Sequence, residues 1–518
     1  MQDKVHVAMA FTISSLWTAP EVNQVTRKAR SIPALNILNI YGRVFILSWW
    51  GFFIAFWSWY AFPPLLTDTI KQDLKLSQTQ IANSNILSLT ATLLVRLIAG
   101  PACDKYGPRW TFAGILLAGA IPTALAGTVT TPGGFIAIRF FVGILGGSFI
   151  PCQVWTTGFF DKNIVGTANS FAAGFGNAGG GVTYFVMPAV YNSLVQRQHM
   201  SQHAAWRVAF VVPFILITAT ALVMVLTCPD TPTGKWSSRA RDTKQALDMR
   251  ETFFSTIGNR KDRKKNAPSI ESAGLSNDTI GLKSSRDEGS YTDVQTHEDD
   301  ILAAASWELV EKPTVQGTFK AVSSLPTVAL SVAYFCSFGT ELAVNTILGA
   351  YYAKNLKLGQ TASGNWAAMF GILNAIFRPA GGILSDTVYH YTRSLWAKKM
   401  IVHSLELMMG AFLLLIGLLD PTTRPVMVGL MTGLAFFEEA SNGAVFALVP
   451  HVHPSSNGII TGLTGAAGDL GGICFLLIAR YSGIEYGRVF WIVGVISIAG
   501  NFLVSWIRPI PKGQLGGR

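Results

Sequence analysis

Long apolar runs dominate this sequence, and their length constrains the fold more than any other feature. Each run is about 20 residues long, which is what an α-helix needs to span the hydrocarbon core of a bilayer. Hydrophobic residues make up 50% of the 518 residues and charged residues only 13%, whereas a soluble domain carries about a quarter charged residues. The chain is therefore predicted to be an all-α polytopic membrane protein rather than a soluble enzyme. The twelve predicted helices lie at about 44–66, 81–101, 110–130, 133–157, 164–193, 206–228, 325–352, 361–386, 399–419, 424–449, 456–481 and 487–508.

Charge, cysteines and motifs exclude several other classes. The net charge of +11 would suit a nucleic-acid partner, but no soluble scaffold presents a basic cluster, so the excess of Lys and Arg is expected to set membrane orientation instead. The five cysteines lie in or at the ends of apolar spans without CxxC spacing, so neither a disulfide framework nor a metal site is predicted. No Walker A motif or cofactor fingerprint is present, so a cofactor, ATP-driven transport and enzymatic activity are not expected.

The spans divide into two sets of six around a polar segment. Residues 229–324 hold 14 Lys and Arg against 15 Asp and Glu and lack sustained apolar periodicity, so they are predicted to form a largely disordered linker. The predicted organisation is an N-terminal segment (1–43), a six-helix half (44–228), this linker, a second six-helix half (325–508) and a tail (509–518). Lys and Arg are concentrated beside the membrane on the side of the termini and linker, which predicts that these parts are cytoplasmic.

An internal repeat relates the two halves. Segment 96–104 of the second span matches segment 378–386 of the eighth, because each begins with Arg and has Gly four residues later and Asp eight residues later. Segment 166–180 matches segment 458–472 in the spacing of its glycines. Parallel repeats of six helices place a substrate site near the membrane midplane, between the halves.

Arg96 and Arg378 are the leading candidates for substrate binding. Each is a lone charge within its span, and an arginine at the membrane centre costs about 2.5–3.5 kcal/mol, so a functional role is favoured. No carboxylate lies within two helical turns of either arginine in its own span, so an ion-pair partner, the alternative structural role, would have to come from another helix. Two unpaired guanidinium groups that face each other suit a small planar oxyanion, because each offers a fork of donors with a permanent charge.

The glycine-rich part of the fifth span, 172–181, contains a formal GxGxxG pattern. No strand precedes it, so it is not a dinucleotide fingerprint, and its small residues are expected to let helices pack closely. Asn177 is predicted to donate its amide N–H to the anion where the backbones meet. The glycines assigned to packing near the site are Gly174, Gly176, Gly179, Gly180, Gly471 and Gly472.

Aromatic and acidic residues follow one another at helical spacing along the seventh span. Tyr334, Phe338 and Glu341 lie at positions i, i+4 and i+7, and the tenth span carries Glu438 and Glu439. An aromatic stripe by itself more often indicates packing than substrate contact. A carboxylate at membrane depth must be protonated or find a cation, so Glu341 either carries a proton or bridges to Arg378 or another helix. The residues leave both roles open.

The loop between the second and third spans is predicted to act in conformational change. Asp104 and the basic residues near it, including Arg109, are expected to pair across the contact between the halves and to separate as the halves rock. With Gly100, these residues form a GxxxDxxGxR pattern that resembles the signature loop of the major facilitator superfamily. Gly382 and Asp386 are its equivalents in the second half.

Three further segments, 94–101, 173–181 and 374–382, resemble the nitrate/nitrite porter family within that superfamily. Segments 59–66, 159–162 and 447–453 resemble its fungal nitrate transporters in particular, and the resemblance covers about residues 36–236 and 325–511. It implies the twelve-helix major facilitator fold, with nitrate held between Arg96 and Arg378. Tyr334 and Asn177 would contribute to the site, with Phe338 packing nearby.

Asp469 departs from the family pattern, which usually has asparagine at this position. If Asp469 faces the site, its protonation would favour anion binding, which makes it a second candidate for proton coupling. The alternative is that it pairs with a cation on a neighbouring helix, such as Arg139.

The predicted function is import of nitrate and also nitrite, together with protons, across the plasma membrane by alternating access, for nitrate assimilation. The predicted partners are these solutes and the lipid bilayer, with no nucleic acid and no obligate protein partner. The alternatives are a nitrate/nitrite exchanger, a transporter of another small anion, and a nitrate-binding sensor without net transport.

Overall fold

The computed structural model describes residues 13–23, 26–239, 241, 245 and 315–511 of the chain. Twelve long helical segments account for most of these residues, as the apolar runs predict. In chain order they are α1 (Ile40–Trp59), α2 (Gln78–Tyr106), α3 (Pro108–Leu125), α4 (Pro132–Phe159), α5 (Val165–Gln196), α6 (Gln202–Thr227), α7 (Leu325–Asn355), α8 (Gln360–Thr392), α9 (Leu395–Leu419), α10 (Arg424–Val452), α11 (Asn457–Ser482) and α12 (Tyr486–Val504).

Ten of these segments are long and apolar enough to cross a membrane by length and composition alone. The two that fall short are α5 and α10, which carry many glycines or the acidic pair Glu438–Glu439. Both helices bury their polar residues within the bundle, including Asn169 and Asn177 on α5. Their low hydropathy therefore reflects a position inside the protein rather than in contact with lipid.

Helix ends extend beyond the apolar runs because capping residues and charged turns continue the helix. The helix α1 begins at Ile40, not at residue 44, and the Asn39 side chain accepts a hydrogen bond from the Tyr41 amide there. The helix α2 begins at Gln78, where Ser77 and Gln80 form a capping box. At its other end, α2 continues past the apolar residues to Tyr106.

The helix α4 is interrupted by a 3₁₀ stretch at Gly143–Ser148 that brings it close to α2. A Cβ at Gly143 would lie 2.3 Å from the Ser88 carbonyl oxygen, so only glycine permits this approach. The same stretch turns the Gly146 carbonyl toward the Arg96 side chain of α2, which donates a hydrogen bond to it. A local departure from α-helical geometry thus helps to position a predicted site residue.

Helices α1–α6 form one half and α7–α12 form the other, and the halves meet mainly where α5 packs on α8 and α2 packs on α11. Because each half has an even number of spans, both described chain ends lie on the same face, here called the terminal face. On this face the segment before α1 packs on the end of α4, with the Ala29 amide donating to the Phe159 carbonyl. Near the other chain end, Lys399 donates to the Val504 and Ser505 carbonyls.

The predicted linker, 229–324, lies largely outside the described residues, as do residues 1–12 and 512–518 of the predicted terminal segments. The described ends of the linker are structured. Trp236 lies against Gly107 in the loop between α2 and α3 and donates to the Asp104 carbonyl. A short helix, Val315–Val322, precedes α7. Apolar residues at the two ends of this polar segment explain both features, because they pack on the helix bundle instead of remaining in water.

Candidate functional site

Arg96 on α2 and Arg378 on α8 are both fully buried, and both approach the contact between the halves. Arg96 donates through Nε to the Gly146 carbonyl (3.1 Å) and through Nη1 to the Gly465 carbonyl of α11 (2.9 Å). Arg378 donates through Nη2 to the Tyr334 hydroxyl of α7 at 2.7 Å. The backbone of two other helices therefore holds Arg96, whereas side chains hold Arg378.

The expectation that the two arginines are unpaired is wrong. Asp469 Oδ1 lies 3.0 Å from Arg96 Nη1, and Glu341 Oε2 lies 3.5 Å from Arg378 Nη1. Both carboxylates come from other helices, α11 and α7, so periodicity within α2 or α8 gives no sign of them. The suggested pairing of Asp469 with Arg139 does not occur either, because Arg139 donates to Asn85 and to the Trp59 carbonyl instead.

Three aromatic rings lie close to the arginines in nearly parallel planes. The rings of Tyr334 and Phe338 are 4.9 Å apart and 5° from parallel, and Phe149 of α4 lies 6.2 Å from Tyr334 at 9°. The Arg96 guanidinium lies 5.1 Å from Phe149 and 5.0 Å from Phe338, and the Arg378 guanidinium lies 5.7 Å and 5.8 Å from the same two rings. Cation–π attraction thus helps to hold both charges beside one aromatic layer. The sequence did not single out Phe149, because nothing in its span distinguishes it from packing aromatics.

Several polar atoms of this site have no hydrogen-bond partner. They include Arg96 Nη2, Arg378 Nε, Asn177 Oδ1 and both oxygens of Asp469, whose approach to Arg96 is close without hydrogen-bond geometry. A buried donor without an acceptor carries a desolvation penalty of about 1–3 kcal/mol, and more for a charged group. Arg96 Nη2 and Arg378 Nε are therefore donors that the acceptors of a small oxyanion would satisfy.

A carboxylate cluster lies next to Arg378 and consists of Glu341, Glu438 and Glu439. One oxygen from each lies within 4.8 Å of the others, and all three residues are buried. Asn374 donates to Glu341 (2.8 Å) and Glu439 (2.5 Å), and Asn442 donates to Glu341 (3.0 Å). Such oxygens could also hold a metal ion, and Glu438 Oε2 and Glu439 Oε2 have no hydrogen-bond partner.

The predicted packing glycines lie at close helix contacts, with one exception. Gly174 faces the Asn374 carbonyl of α8, where a Cβ would lie 2.5 Å away, and Gly471 faces the Phe335 carbonyl of α7, where it would lie 2.1 Å away. Gly176, Gly179 and Gly472 are similarly close to their neighbours, whereas Gly180 has room for a methyl group at ordinary contact distance. Asn177, between these glycines, donates to Asn374 Oδ1 at 3.4 Å.

Asp104, one of the predicted gating residues, connects the two halves on the terminal face, but through contacts that differ from those expected. Asp104 accepts hydrogen bonds from the Gly458 and Ile459 amides at the start of α11, both at 3.0 Å. It therefore binds backbone N–H groups at a helix N-terminus, where the helix dipole favours an anion, and not basic side chains of the other half. Arg109 does not cross between the halves, since it donates to Asp230 in its own half at 3.0 Å.

Asp386 makes the equivalent contact from the second half. It accepts from the Thr167 amide (2.6 Å) and hydroxyl (3.0 Å) near the start of α5, and from Lys398 at 2.8 Å. Glycines make these contacts possible: a Cβ at Gly100 would lie 2.5 Å from the Gly458 carbonyl, and one at Gly382 would lie 2.1 Å from Ser170 Oγ. The sequence repeat thus corresponds to a pair of matching contacts across the two halves.

The comparisons with known proteins agree with this fold. Residues 48–329 and 330–517 match the family described as Major Facilitator Superfamily, and the chain belongs to it. Among solved structures, a proton:xylose symporter of this superfamily is 13% identical, with a TM-score of 0.59 over 89% of this chain and 94% of that one. The human organic anion transporter MFSD10 is 14% identical, with a TM-score of 0.55 over 89% of this chain and 99% of that one. Two six-helix halves around a central site are thus the architecture of a membrane transporter.

Individual proteins that are similar in sequence narrow the assignment within this superfamily. Elsinochrome transporter 1 of Elsinoe fawcettii is 33% identical over 97% of this chain and 100% of that protein. High affinity nitrate transporter 2.5 of Arabidopsis thaliana is 30% identical over 93% of this chain and 82% of that protein. The nitrate/nitrite transporter NrtP of a Picosynechococcus strain is 24% identical over 91% of this chain and 93% of that protein. The predicted resemblance to nitrate/nitrite porters is confirmed, and the chain is a membrane transporter rather than an enzyme.

Proposed function

We propose that this protein imports nitrate, and also nitrite, together with protons by alternating access. The observation that carries the proposal is the pair of repeat-related arginines at one aromatic layer, each with a donor that has no partner. Nitrate is planar and carries acceptors on all three oxygens, so it matches two guanidinium forks better than a spherical anion does. The similarity to several nitrate transporters supports the same substrate class.

The acidic residues around the arginines support coupling to protons. Carboxylates as close as Glu341, Glu438 and Glu439 repel one another when ionised, and Arg378 alone can offset only one of these charges. The cluster therefore holds protons, and the number it holds depends on whether an anion is bound beside Arg378. Asp469 lies beside Arg96 as the carboxylate cluster lies beside Arg378, so its protonation also depends on whether an anion is bound there. Binding of an anion at the arginines would thus draw protons onto the neighbouring carboxylates.

The contacts across the halves support alternating access. Asp104 and Asp386 close the terminal face, whereas a cavity of 510 Å³ opens on the opposite face. If the termini are cytoplasmic, as the distribution of Lys and Arg predicts, this arrangement receives solute from outside the cell. We assign the protein to the plasma membrane on that basis.

The test is nitrate-induced current in a heterologous membrane at two external pH values. Inward movement of one anion against a negative interior opposes about 2.3 kcal/mol per 100 mV, so accumulation that uses the potential needs more than one proton per nitrate. We expect inward positive current that is larger at acidic pH. A current that is independent of pH, or outward, would indicate uniport. Exchange of nitrate for nitrite moves no net charge, so nitrate uptake without current would indicate exchange, and binding without any net flux would indicate a sensor.

The variants Arg96→Lys and Arg378→Lys link this test to the site. Each keeps the charge but loses the planar fork, so uptake at low nitrate concentration should fall about tenfold or more. Near-normal uptake by either variant, with surface expression equal to that of the wild type, would contradict a nitrate site shared by the two arginines.

A second candidate is transport of an organic solute such as elsinochrome. Two observations favour it: one relative is named for elsinochrome, and Asp469 offsets the charge of Arg96 beside parallel aromatic rings. A flat aromatic solute could stack on such a layer. Transport of elsinochrome by a protein that gives no nitrate response would select this candidate.

A further inference from the structure

The cavity on the face opposite the terminal face is strongly biased toward positive charge. Its 510 Å³ are bounded by the ends of α1, α5 and α7 and by the starts of α2, α4 and α8. Arg139 and Lys71 line it, and none of the described residues that line it is acidic. Tyr60, Tyr184 and Asn345 add polar groups to its wall. A cleft with one sign of charge and apolar walls concentrates ions of the opposite sign.

Arg139 differs from the two central arginines in having no counterion among the described residues. It is only 4% exposed, and it donates through Nη1 to the Trp59 carbonyl (3.2 Å) and through Nη2 to Asn85 Oδ1 (2.7 Å). Both acceptors are neutral, and Arg139 Nε has no partner. The Phe62 ring lies 5.1 Å from the guanidinium on its apolar side. A buried guanidinium held in place only by neutral groups keeps its full charge available to a ligand.

The cavity also leads toward the central site. Tyr60, Tyr184 and Asn345 line both this cavity and a narrow space below it, whose other wall includes Asn177 and Glu341. The cavity therefore shares part of its wall with a space that reaches Glu341, which lies 3.5 Å from Arg378.

We infer that Arg139 forms a separate outer binding site for a small inorganic anion, which is captured there before it reaches Arg96 and Arg378. Arg139 Nε supplies a free charged donor, and nearby Tyr184 and Asn345 line the same space. Capture at this depth removes part of the anion's water while a positive charge offsets the loss. The inference rests on the proposed function only in taking nitrate as the anion, because the charge of the cavity is independent of the substrate.

Cysteine modification in the purified protein measures this charge without transport. Gly364 lines the cavity, and a Cβ built on it meets no atom within 4 Å, so Gly364→Cys provides a reporter that fits. Its rates of reaction with an anionic and with a cationic methanethiosulfonate reagent give a ratio that reports the local potential. The protein without Gly364→Cys gives the background from the native cysteines, of which four are buried.

Arg139→Gln should lower the ratio of anionic to cationic rates about five- to tenfold, because one nearby charge acts with opposite sign on the two reagents. Nitrate should slow the anionic reagent when Arg139 is present and not in Arg139→Gln. Asn85→Asp tests the same charge with less disturbance, since it places a carboxylate beside an intact guanidinium, and it should lower the ratio as well. Lys71→Gln is the matched control and should have the smaller effect.

An unchanged ratio in folded Arg139→Gln and Asn85→Asp proteins, or an effect of Lys71→Gln that exceeds both, would overturn the outer site. Absence of nitrate protection in the wild type would also overturn it. The outcomes separate it from the proposed function: nitrate protection without nitrate flux leaves the outer site standing and removes nitrate import. Nitrate flux with no Arg139-dependent protection would leave nitrate import standing and remove the outer site.

Discussion

At the scale of the residue, Arg96 and Arg378 occupy equivalent positions but have different surroundings. The Gly146 and Gly465 carbonyls accept hydrogen bonds from Arg96, and Asp469 is the only carboxylate within 4.0 Å of its guanidinium among the described residues. Arg378 instead donates hydrogen bonds to Tyr334 and Asn374 and lies beside the carboxylate cluster. Protonation around Arg378 therefore rearranges a network of side chains, whereas at Arg96 it decides simply whether the guanidinium is neutralised.

Asp469→Asn follows from this difference. An ionised Asp469 competes with a bound anion for Arg96, and a protonated Asp469 does not, so wild-type affinity for nitrate should improve as the pH falls. The asparagine variant has no such charge, so its half-saturation concentration should be lower than that of the wild type at neutral pH and should vary less with pH. Nitrate uptake kinetics at acidic and neutral external pH measure both effects. If a well-expressed variant keeps the wild-type pH dependence, Asp469 does not act on the bound anion.

The limits of prediction from sequence are also visible in these residues. Lone arginines in apolar spans, matched by a repeat, are enough to predict a site between two halves, because a buried charge is rare without a use. Periodicity places residues on a face of their own helix and says nothing about which face of another helix lies opposite. Asp469 beside Arg96, Phe149 in the aromatic layer and the Gly146 carbonyl all depend on packing between helices and were therefore missed.

At the scale of the helix, glycines determine how closely neighbours approach. Gly471 on α11 lies against the backbone of α7, and Gly181 on α5 lies against the Ala368 carbonyl and Ile372 of α8. Both contacts leave no room for a methyl group, so the positions of Tyr334 on α7 and Arg378 on α8 depend on residues that do not touch the site.

The glycines Gly471 and Gly180 make a matched pair for testing this dependence. A Cβ at Gly471 would lie 2.1 Å from the Phe335 carbonyl, whereas one at Gly180 would meet its nearest side-chain atom at 3.4 Å. Gly471→Ala should destabilise the folded protein by about 1–3 kcal/mol, the usual effect of overpacking, and Gly180→Ala should have little effect. Thermal unfolding in detergent compares them, and equal stability of the two variants would show that the α7–α11 contact adjusts freely.

At the scale of the whole molecule, the two halves exchange carboxylate contacts on the terminal face. Asp104 of the first half binds the start of α11, and Asp386 of the second half binds near the start of α5. Each contact stabilises the arrangement that is closed on this face, so opening must break both. The two contacts contribute to the free energy of closure together with other hydrogen bonds between the halves, such as that from Arg393 to Asn163.

Asp104→Asn should weaken that closure. Loss of a charged cap at a helix N-terminus costs about 1 kcal/mol, which corresponds to about a fivefold larger open population. Gly158→Cys reports the change, because Gly158 lines a terminal-face cavity together with Asp104 and has space around its Cβ. Labelling of this cysteine should accelerate about fivefold in Asp104→Asn. Asp420→Asn is the control, since Asp420 accepts hydrogen bonds from Tyr351 and Asn355 within the second half, on the opposite face; an equal acceleration there would exclude a role for the cap.

The glycines along the contact between the halves also affect how fast the molecule can change shape. Where Gly100 meets Gly458 and Gly462, and where Gly181 meets Gly371, main chain lies directly against main chain. Because glycine has no side chain, rotation of one half over the other at these contacts requires no rotamer change by these residues themselves. The glycine contacts therefore add little to the barrier to reorientation. That barrier then comes chiefly from breaking the polar contacts at the ends of the interface.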